Sequence, residues 1–345
     1  MKAVVDDKIP YIREALSAMG VEAIYAPGHE ISPALVRDAD ALIVRTRTRC
    51  DATLLEGSQV QFIATATIGY DHIDTAYCAS HGITWTNAPG CNAASVCQYV
   101  QSVLLLLQRE LDVDLTNATL GVVGVGHVGT QVVAMARSWG IRVLCCDPPR
   151  ADRGEQGFVS LETIAREADI ITLHTPLTHE GLYPTLHLAD EAFFGSLQRK
   201  PYFINTSRGE TTDTAALQRA LTRGQIAQCI IDVWENEPNI NLDLLAQCYI
   251  GTPHIAGYSA DGKANATRMS LEALSHHFGL GPVPAIQPPS PAQPIIKGYS
   301  RTEALLNIYN PHTDSAALKG APDLFEHLRG HYPLRREEQA YEIVS

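Results

Sequence analysis

The sequence has no long apolar run. Its most apolar stretch is Val103–Leu107, against the roughly 20 residues that a bilayer-spanning helix needs, so no membrane association is expected. The opening residues, MKAVVDDKIPY, lack the apolar core of a secretory signal. Basic residues are in deficit: 26 Lys and Arg against 38 Asp and Glu leave a net charge of −12. A nucleic-acid partner needs a basic face, so that class is not expected. An anionic substrate would have to be met by a local cluster of Arg or Lys. The eight cysteines show no CxxC and no paired spacing. That pattern fits buried, reduced thiols and a cytoplasmic protein. Neither a GxSxG elbow, a P-loop nor a zinc-protease signature occurs. His72 and His81 have no accompanying carboxylate or cysteine spacing, and His276–His277 reads as a solvated helical pair, so no metal is expected. No internal repeat is present.

What is there is alternation. KAVVD (2–6) reads as a strand and PYIREALSAMG as a helix ending at Gly20; VEAIYA, DADALIVRT, QFIATAT and GITWTNA follow as strands. A second series begins near residue 119 with TLGVVGVG, IRVLCCD, DIITLHTP, PYFINTS, QIAQCIIDVW and CYIGTPHI. Runs this apolar are expected of parallel strands buried on both faces, and the order predicts βαβ units. The expected fold is α/β, with two Rossmann-like, doubly wound parallel sheets and a small C-terminal α/β segment. Residues 282–294 hold six prolines and read as a linker.

The first motif is Gly124-x-Gly126-x-x-Gly129, with His127 and Val128 between. Alone the pattern is weak. Here it closes a predicted strand and opens a predicted helix. The first glycine allows the tight turn, the second a close approach of pyrophosphate to the backbone, and the third helix–strand packing. The helix start then favours negative charge. Asp147 lies eighteen residues past Gly129, at the end of the next strand, where a carboxylate binds the adenosine ribose and repels a 2′-phosphate. NAD is therefore expected over NADP, although Arg150 and Arg153 lie just beyond. Arg208, Asp232, Glu237 and His254 each follow a predicted buried strand, and ligand sites in open α/β sheets gather at such ends. A lone histidine is more often structural than catalytic. His254, however, follows a proline, precedes Gly257, and shares the strand-end pattern with an arginine and two acids.

With these motifs in this order, the chain resembles the D-isomer-specific 2-hydroxyacid dehydrogenases from about residue 1 to 280. The resemblance implies Arg208, Glu237 and His254 as catalytic residues: carboxylate-binding arginine, acidic partner and acid/base. It implies that Thr175, Thr206, Ser207, Arg208, Asp232 and Gly257 line the cofactor beside the glycine motif and Asp147. A narrower likeness rests on VDDKIPY, TATIGYDHID, NAPGCNA, CDPPRADRG, HTPLTHEGLYPTLHL and the tail after the prolines. It points to the branch acting on 4-phospho-D-erythronate in vitamin B6 synthesis, and implies Arg45, Thr67 and Tyr258 as substrate contacts. The implied organisation is a substrate-binding, flavodoxin-like domain of residues 1–93 and 258–281, an NAD-binding domain of 94–257, and a linker and dimerisation segment of 282–345, hence a homodimer. Physically, Arg45, Arg47 and Arg49 would share one face if the strand ALIVRTRTR ran through them. The alternatives are another 2-hydroxyacid dehydrogenase, such as one acting on 3-phosphoglycerate, and a non-catalytic NAD-sensing regulator.

Overall fold

The computed structural model describes residues 1–297 and 300–344, which form two compact units. The first comprises Met1–Asn92 and Ser259–Ala292. Its strands β1 (Lys2–Asp6), β2 (Glu22–Ala26), β3 (Ala41–Val44), β4 (Phe62–Thr65) and β5 (Thr84–Thr86) form one parallel sheet in the order β2-β1-β3-β4-β5. Successive residues feed opposite faces. Val4, Leu42, Val44 and Ile63 pack in one apolar cluster. Ala3, Val5, Ile43 and Ala64 pack in another, under Leu271 and Leu274 of the helix Ala260–Phe278. Both faces are thus buried, which is why these strands read as continuous apolar runs.

The order reverses between β1 and β3, the position where an open α/β sheet leaves a crevice at its strand ends. Asp6, the last residue of β1, is wholly buried there. Arg45 closes on it with two bonds, Nε to Oδ2 at 3.1 Å and a terminal nitrogen to Oδ1 at 3.2 Å. β3 stops at Val44, just before Arg45, and the chain turns, so the condition of a strand running on through Arg49 is not met. Thr48 then donates to the Gly28 carbonyl at 2.8 Å, and Arg49 pairs with Asp51 in solvent. Arg45, Arg47 and Arg49 do not form one face of a strand.

The second unit comprises Ala93–Tyr258 and the chain from Gln293 onward. Strands β6 (Thr119–Val123), β7 (Arg142–Cys146), β8 (Ile170–Leu173), β9 (Tyr202–Asn205), β10 (Gln228–Ile231) and β11 (Ile250–Gly251) form a parallel sheet in the order β11-β10-β9-β8-β6-β7. Leu120, Val122, Ile170, Ile204 and Ile230 face the helix Ala93–Leu111, which buries Tyr99 and Leu104–Leu107 against them. Ile171, Leu173, Phe203, Cys229 and Ile231 face the other way. The order reverses between β6 and β8, so the crevice opens beyond Val123 and Leu173.

The C-terminal chain does not stand as a third body. Residues 282–292 belong to the first unit and those from Gln293 to the second. Its helices Arg301–Ile308, Pro311–Gly320 and Phe325–Gly330 are followed by β13 (Glu342–Val344), which pairs in parallel with β12 (Ile295–Lys297). Leu305 and Leu306 join the cluster on the Ala93–Leu111 helix; Leu318 and Phe325 join the opposite one. Ile308 and Leu328 are partly buried, while Leu324 stays half exposed. Phe325→Ala should therefore cost about 3–5 kcal/mol of stability, the range for removing a buried aromatic side chain. Urea unfolding checks this, and an unchanged midpoint would show that the tail is not part of this core.

Candidate active site

The glycine motif lies where β6 ends. Gly124 takes φ +85°, and a Cβ there would come within 2.8 Å of the His174 carbonyl. At Gly129 it would come within 2.1 Å of the Gly124 oxygen, so helix His127–Ser138 can approach β6 only with glycine at that position. At Gly126 it would meet nothing within 4 Å, leaving the backbone at the helix start open to a ligand. His127 is exposed and Val128 packs toward the core. Asp147 follows β7; its Oδ2 accepts from the Val125 amide at 2.8 Å and its Oδ1 from the Arg150 amide at 3.1 Å. Arg150 is held by Glu155 and by the Val125 carbonyl. Across the switch point, the Thr175 hydroxyl is buried with no protein partner among the described residues. A buried hydroxyl without a partner beside an open glycine backbone fits a dinucleotide.

Beyond β10, Asp232 is almost wholly buried. Its carboxylate accepts from the Thr252 hydroxyl at 2.6 Å and the amides of Ile255 and Ala256 at 2.8 and 2.9 Å. Its carbonyl accepts from the His254 amide at 2.8 Å. Burial pushes its pKa up, opposed by the His254 charge and these hydrogen bonds. The loop after β11 is thereby folded back on Asp232, and His254 takes φ +56°, a left-handed conformation uncommon outside glycine. Between Pro253 and Gly257 the structure thus places a left-handed turn. Gly257 lies inside the turn that Tyr258 closes on the Ile255 carbonyl at 2.8 Å.

His254 Nδ1 lies 2.8 Å from Glu237 Oε2, and the other Glu237 oxygen accepts from the Trp234 amide at 2.9 Å. Both side chains are mostly buried. Burial raises the Glu237 carboxyl, but the His254 bond and charge, the Trp234 amide and Arg329 together hold it below its ordinary value. With Nδ1–H committed to a carboxylate, Nε2 is the nitrogen available for proton transfer. Arg208 makes no bond to either residue; it donates to the Ser207 carbonyl at 2.8 Å. Its loop is built by Asn205, which binds the Ser207 amide, the Arg208 carbonyl and the hydroxyls of Thr211 and Thr212.

His174 and Gly209 are among the residues that escaped the sequence reading. His174 joins strand ends, lying 3.0 Å from the Thr172 hydroxyl and 3.3 Å from that of Thr206. Burial lowers its pKa to about 3, so it is neutral at physiological pH. A Cβ at Gly209 would lie 2.0 Å from the Trp234 carbonyl carbon, so the Arg208 loop and the loop leading to Glu237 touch through backbone alone. The one sequence signal was the glycine after Arg208. In the first unit, Thr67 bonds the Thr65 hydroxyl at 2.7 Å and the Gly69 carbonyl at 2.9 Å. In the second, the Tyr258 phenol accepts from Arg329 at 3.0 Å.

A strand-end site with a dinucleotide cradle and a carboxylate-oriented histidine defines a nicotinamide-dependent oxidoreductase. The chain belongs to the D-isomer-specific 2-hydroxyacid dehydrogenase family: the model of that family's NAD-binding domain matches residues 101–256, and full-length relatives agree. The erythronate-4-phosphate dehydrogenase of Bacteroides fragilis is 59% identical over 345 residues, covering 100% of this chain and 99% of that one. The D-lactate dehydrogenase of Aquifex aeolicus, solved with NAD and lactic acid, is 27% identical with a TM-score of 0.66, covering 81% and 96%. The NAD-bound 3-phosphoglycerate dehydrogenase of Entamoeba histolytica is 26% identical with a TM-score of 0.68, covering 81% and 95%. The cofactor is NAD.

Gly209→Ala should force the two loops apart and lower kcat on the order of 100-fold, the scale of a roughly 1 Å misplacement of a reacting group. Steady-state kinetics on the folded variant decide it, and parental kcat would show that the contact can yield at no cost.

Proposed function

We propose that the protein oxidises 4-phospho-D-erythronate at C2 to 2-oxo-3-hydroxy-4-phosphobutanoate with NAD, as a cytoplasmic homodimer in vitamin B6 synthesis. The observation that carries the chemistry is the 2.8 Å pairing of His254 with Glu237 at the end of a dinucleotide-binding sheet. The substrate comes from the full-length likeness to erythronate-4-phosphate dehydrogenases. The net charge of −12 opposes a nucleic-acid partner.

The glycine loop, Asp147, Thr175 and the 206–208 segment would hold NAD, which supplies the hydride acceptor when bound. Asp147 and the commitment of Arg150 to Glu155 favour a free ribose over a 2′-phosphate. Asp232 and Gly257 act from the catalytic loop. Arg208 grips the C1 carboxylate with its planar fork and polarises the C2 oxygen. His254 Nε2 takes the C2 hydroxyl proton as the C–H bond is broken. Glu237 holds the tautomer and stabilises the imidazolium. Arg45, Thr67 and Tyr258 contact the phosphorylated end of the acid. Retention of Arg208, Glu237 and His254 argues against a purely regulatory role.

His254→Ala should lower kcat roughly 10²–10⁴-fold, the usual worth of a positioned acid/base, with NAD affinity unchanged. Glu237→Gln should be milder and should displace the pH–rate profile. Nicotinamide absorbance with a panel of 2-hydroxy acids, with and without a 4-phosphate, tests the whole reading. Preference for an acid without phosphate would remove the substrate assignment.

Arg45→Ala has two expected effects. It should raise KM for the phosphorylated acid on the order of 10- to 150-fold more than for erythronate, the worth of a charged hydrogen bond. It should also cost about 1–3 kcal/mol of stability, because Asp6 is left buried without its partner. Equal weakening of both acids would show that Arg45 does not read the phosphate.

A further inference from the structure

The C-terminal chain reaches into the site. Arg329, on the short helix Phe325–Gly330, is only 26% exposed at its side chain. Its Nε donates to the Tyr258 phenol at 3.0 Å, and its guanidinium carbon lies 5.7 Å from the centre of that ring. One terminal nitrogen stands 3.9 Å from Glu237 Oε2, the oxygen that meets His254, and 3.8 Å from Glu326 on its own helix. A mostly buried guanidinium is costly unless its donors and charge are used. Here both are directed at site residues. Because the fork is planar and rigid, a donor aimed at Tyr258 fixes where its charge lies relative to Glu237.

We infer that Arg329 is a positioning residue of this dehydrogenase, acting on acid/base catalysis through Glu237 and on substrate affinity through Tyr258. The inference rests on the preceding reading in taking those two residues as members of the site. The cation beside Oε2 adds to the His254 bond and charge and the Trp234 amide in keeping Glu237 ionised. An ionised Glu237 keeps Nδ1–H of His254 directed away from the substrate. The bond from Nε keeps the phenol of Tyr258 in one place, so a substrate that uses it meets a preorganised contact. The bland alternative is that Arg329 only fastens its helix to the body of the unit. That role would alter stability and leave kcat and KM unchanged.

The test uses full-length protein carrying Arg329→Ala, Arg329→Lys, Tyr258→Phe, or the last two together, assayed with NAD and 4-phosphoerythronate. Arg329→Ala should lower kcat and raise KM, each about 10-fold, with NADH affinity by fluorescence unchanged. Arg329→Lys keeps a charge near Glu237 but loses the directed fork. It should recover most of kcat while KM stays high. Adding Tyr258→Phe to it should raise KM no further, because both changes remove the same contact. Should Arg329→Ala not fold, the split between kcat and KM in Arg329→Lys still decides. Parental kcat and KM in a folded Arg329→Lys, or additive KM losses in the double variant, would overturn the inference. A parent enzyme inactive on phosphorylated acids would instead defeat the functional reading.

Discussion

The loop that carries His254 depends on one buried carboxylate. Asp232 sits at the end of β10, almost wholly buried, and its oxygens are met by one hydroxyl and two amides of residues 252–256. An unpaired carboxylate in such a place would cost several kcal/mol. The loop is therefore held in the one conformation that supplies those donors. That conformation includes a left-handed His254, itself costing on the order of 1–3 kcal/mol for a non-glycine residue. The strain is tolerated because the His254 amide is satisfied twice, by the carbonyls of Asp232 and Thr252. In this state the imidazole meets Glu237. Asp232 thus fixes the backbone that presents His254 to Glu237.

How much of this was legible follows from the range of each interaction. The glycine motif, Asp147 and the strand-end residues announce themselves because local chain geometry demands them: Gly124 needs a positive φ and Gly129 cannot carry a side chain. The apolar runs identified both sheets because strands buried on both faces have no polar alternation to obscure them. The same pattern left open how far β3 runs: it says nothing about Asp6, 39 residues away, which Arg45 meets just past the strand end. Arg329 was illegible for a stronger reason. It lies on a six-residue helix 71 residues after Tyr258, with no motif around it.

The place of the tail in the second unit has a mechanical rationale. Strand β11 is only two residues long, Ile250–Gly251, so the ladder gives the following loop little support. Support comes instead from side chains. Tyr99, buried in the long helix, bonds the Thr252 hydroxyl at 2.9 Å; Trp234 donates to the Thr252 carbonyl at 2.9 Å. The Ala256 carbonyl takes two donors, the Ser95 hydroxyl at 3.0 Å and Arg335 at 2.5 Å. Arg335 belongs to the tail, is buried, and stacks 4.2 Å over the ring of Tyr309. The carbonyl of a turn that pairs with no strand is capped by a charge from the far end of the chain.

Two tail arginines therefore approach the loop that carries His254. Arg335 satisfies the loop backbone, and Arg329 touches the groups the backbone presents. The first explains why the tail is embedded in the NAD-binding unit rather than appended to it: a buried guanidinium needs acceptors, and the loop has carbonyls that no strand supplies. The second follows from the first. Once the tail is fixed against residues 252–258, a basic residue on its last helix falls beside Glu237, where a positive charge stabilises the carboxylate that orients the histidine. The stability of the unit and the placing of the His254–Glu237 pair then share one segment. A change that loosens the tail loosens the imidazole with it, whether or not the tail also meets a second subunit.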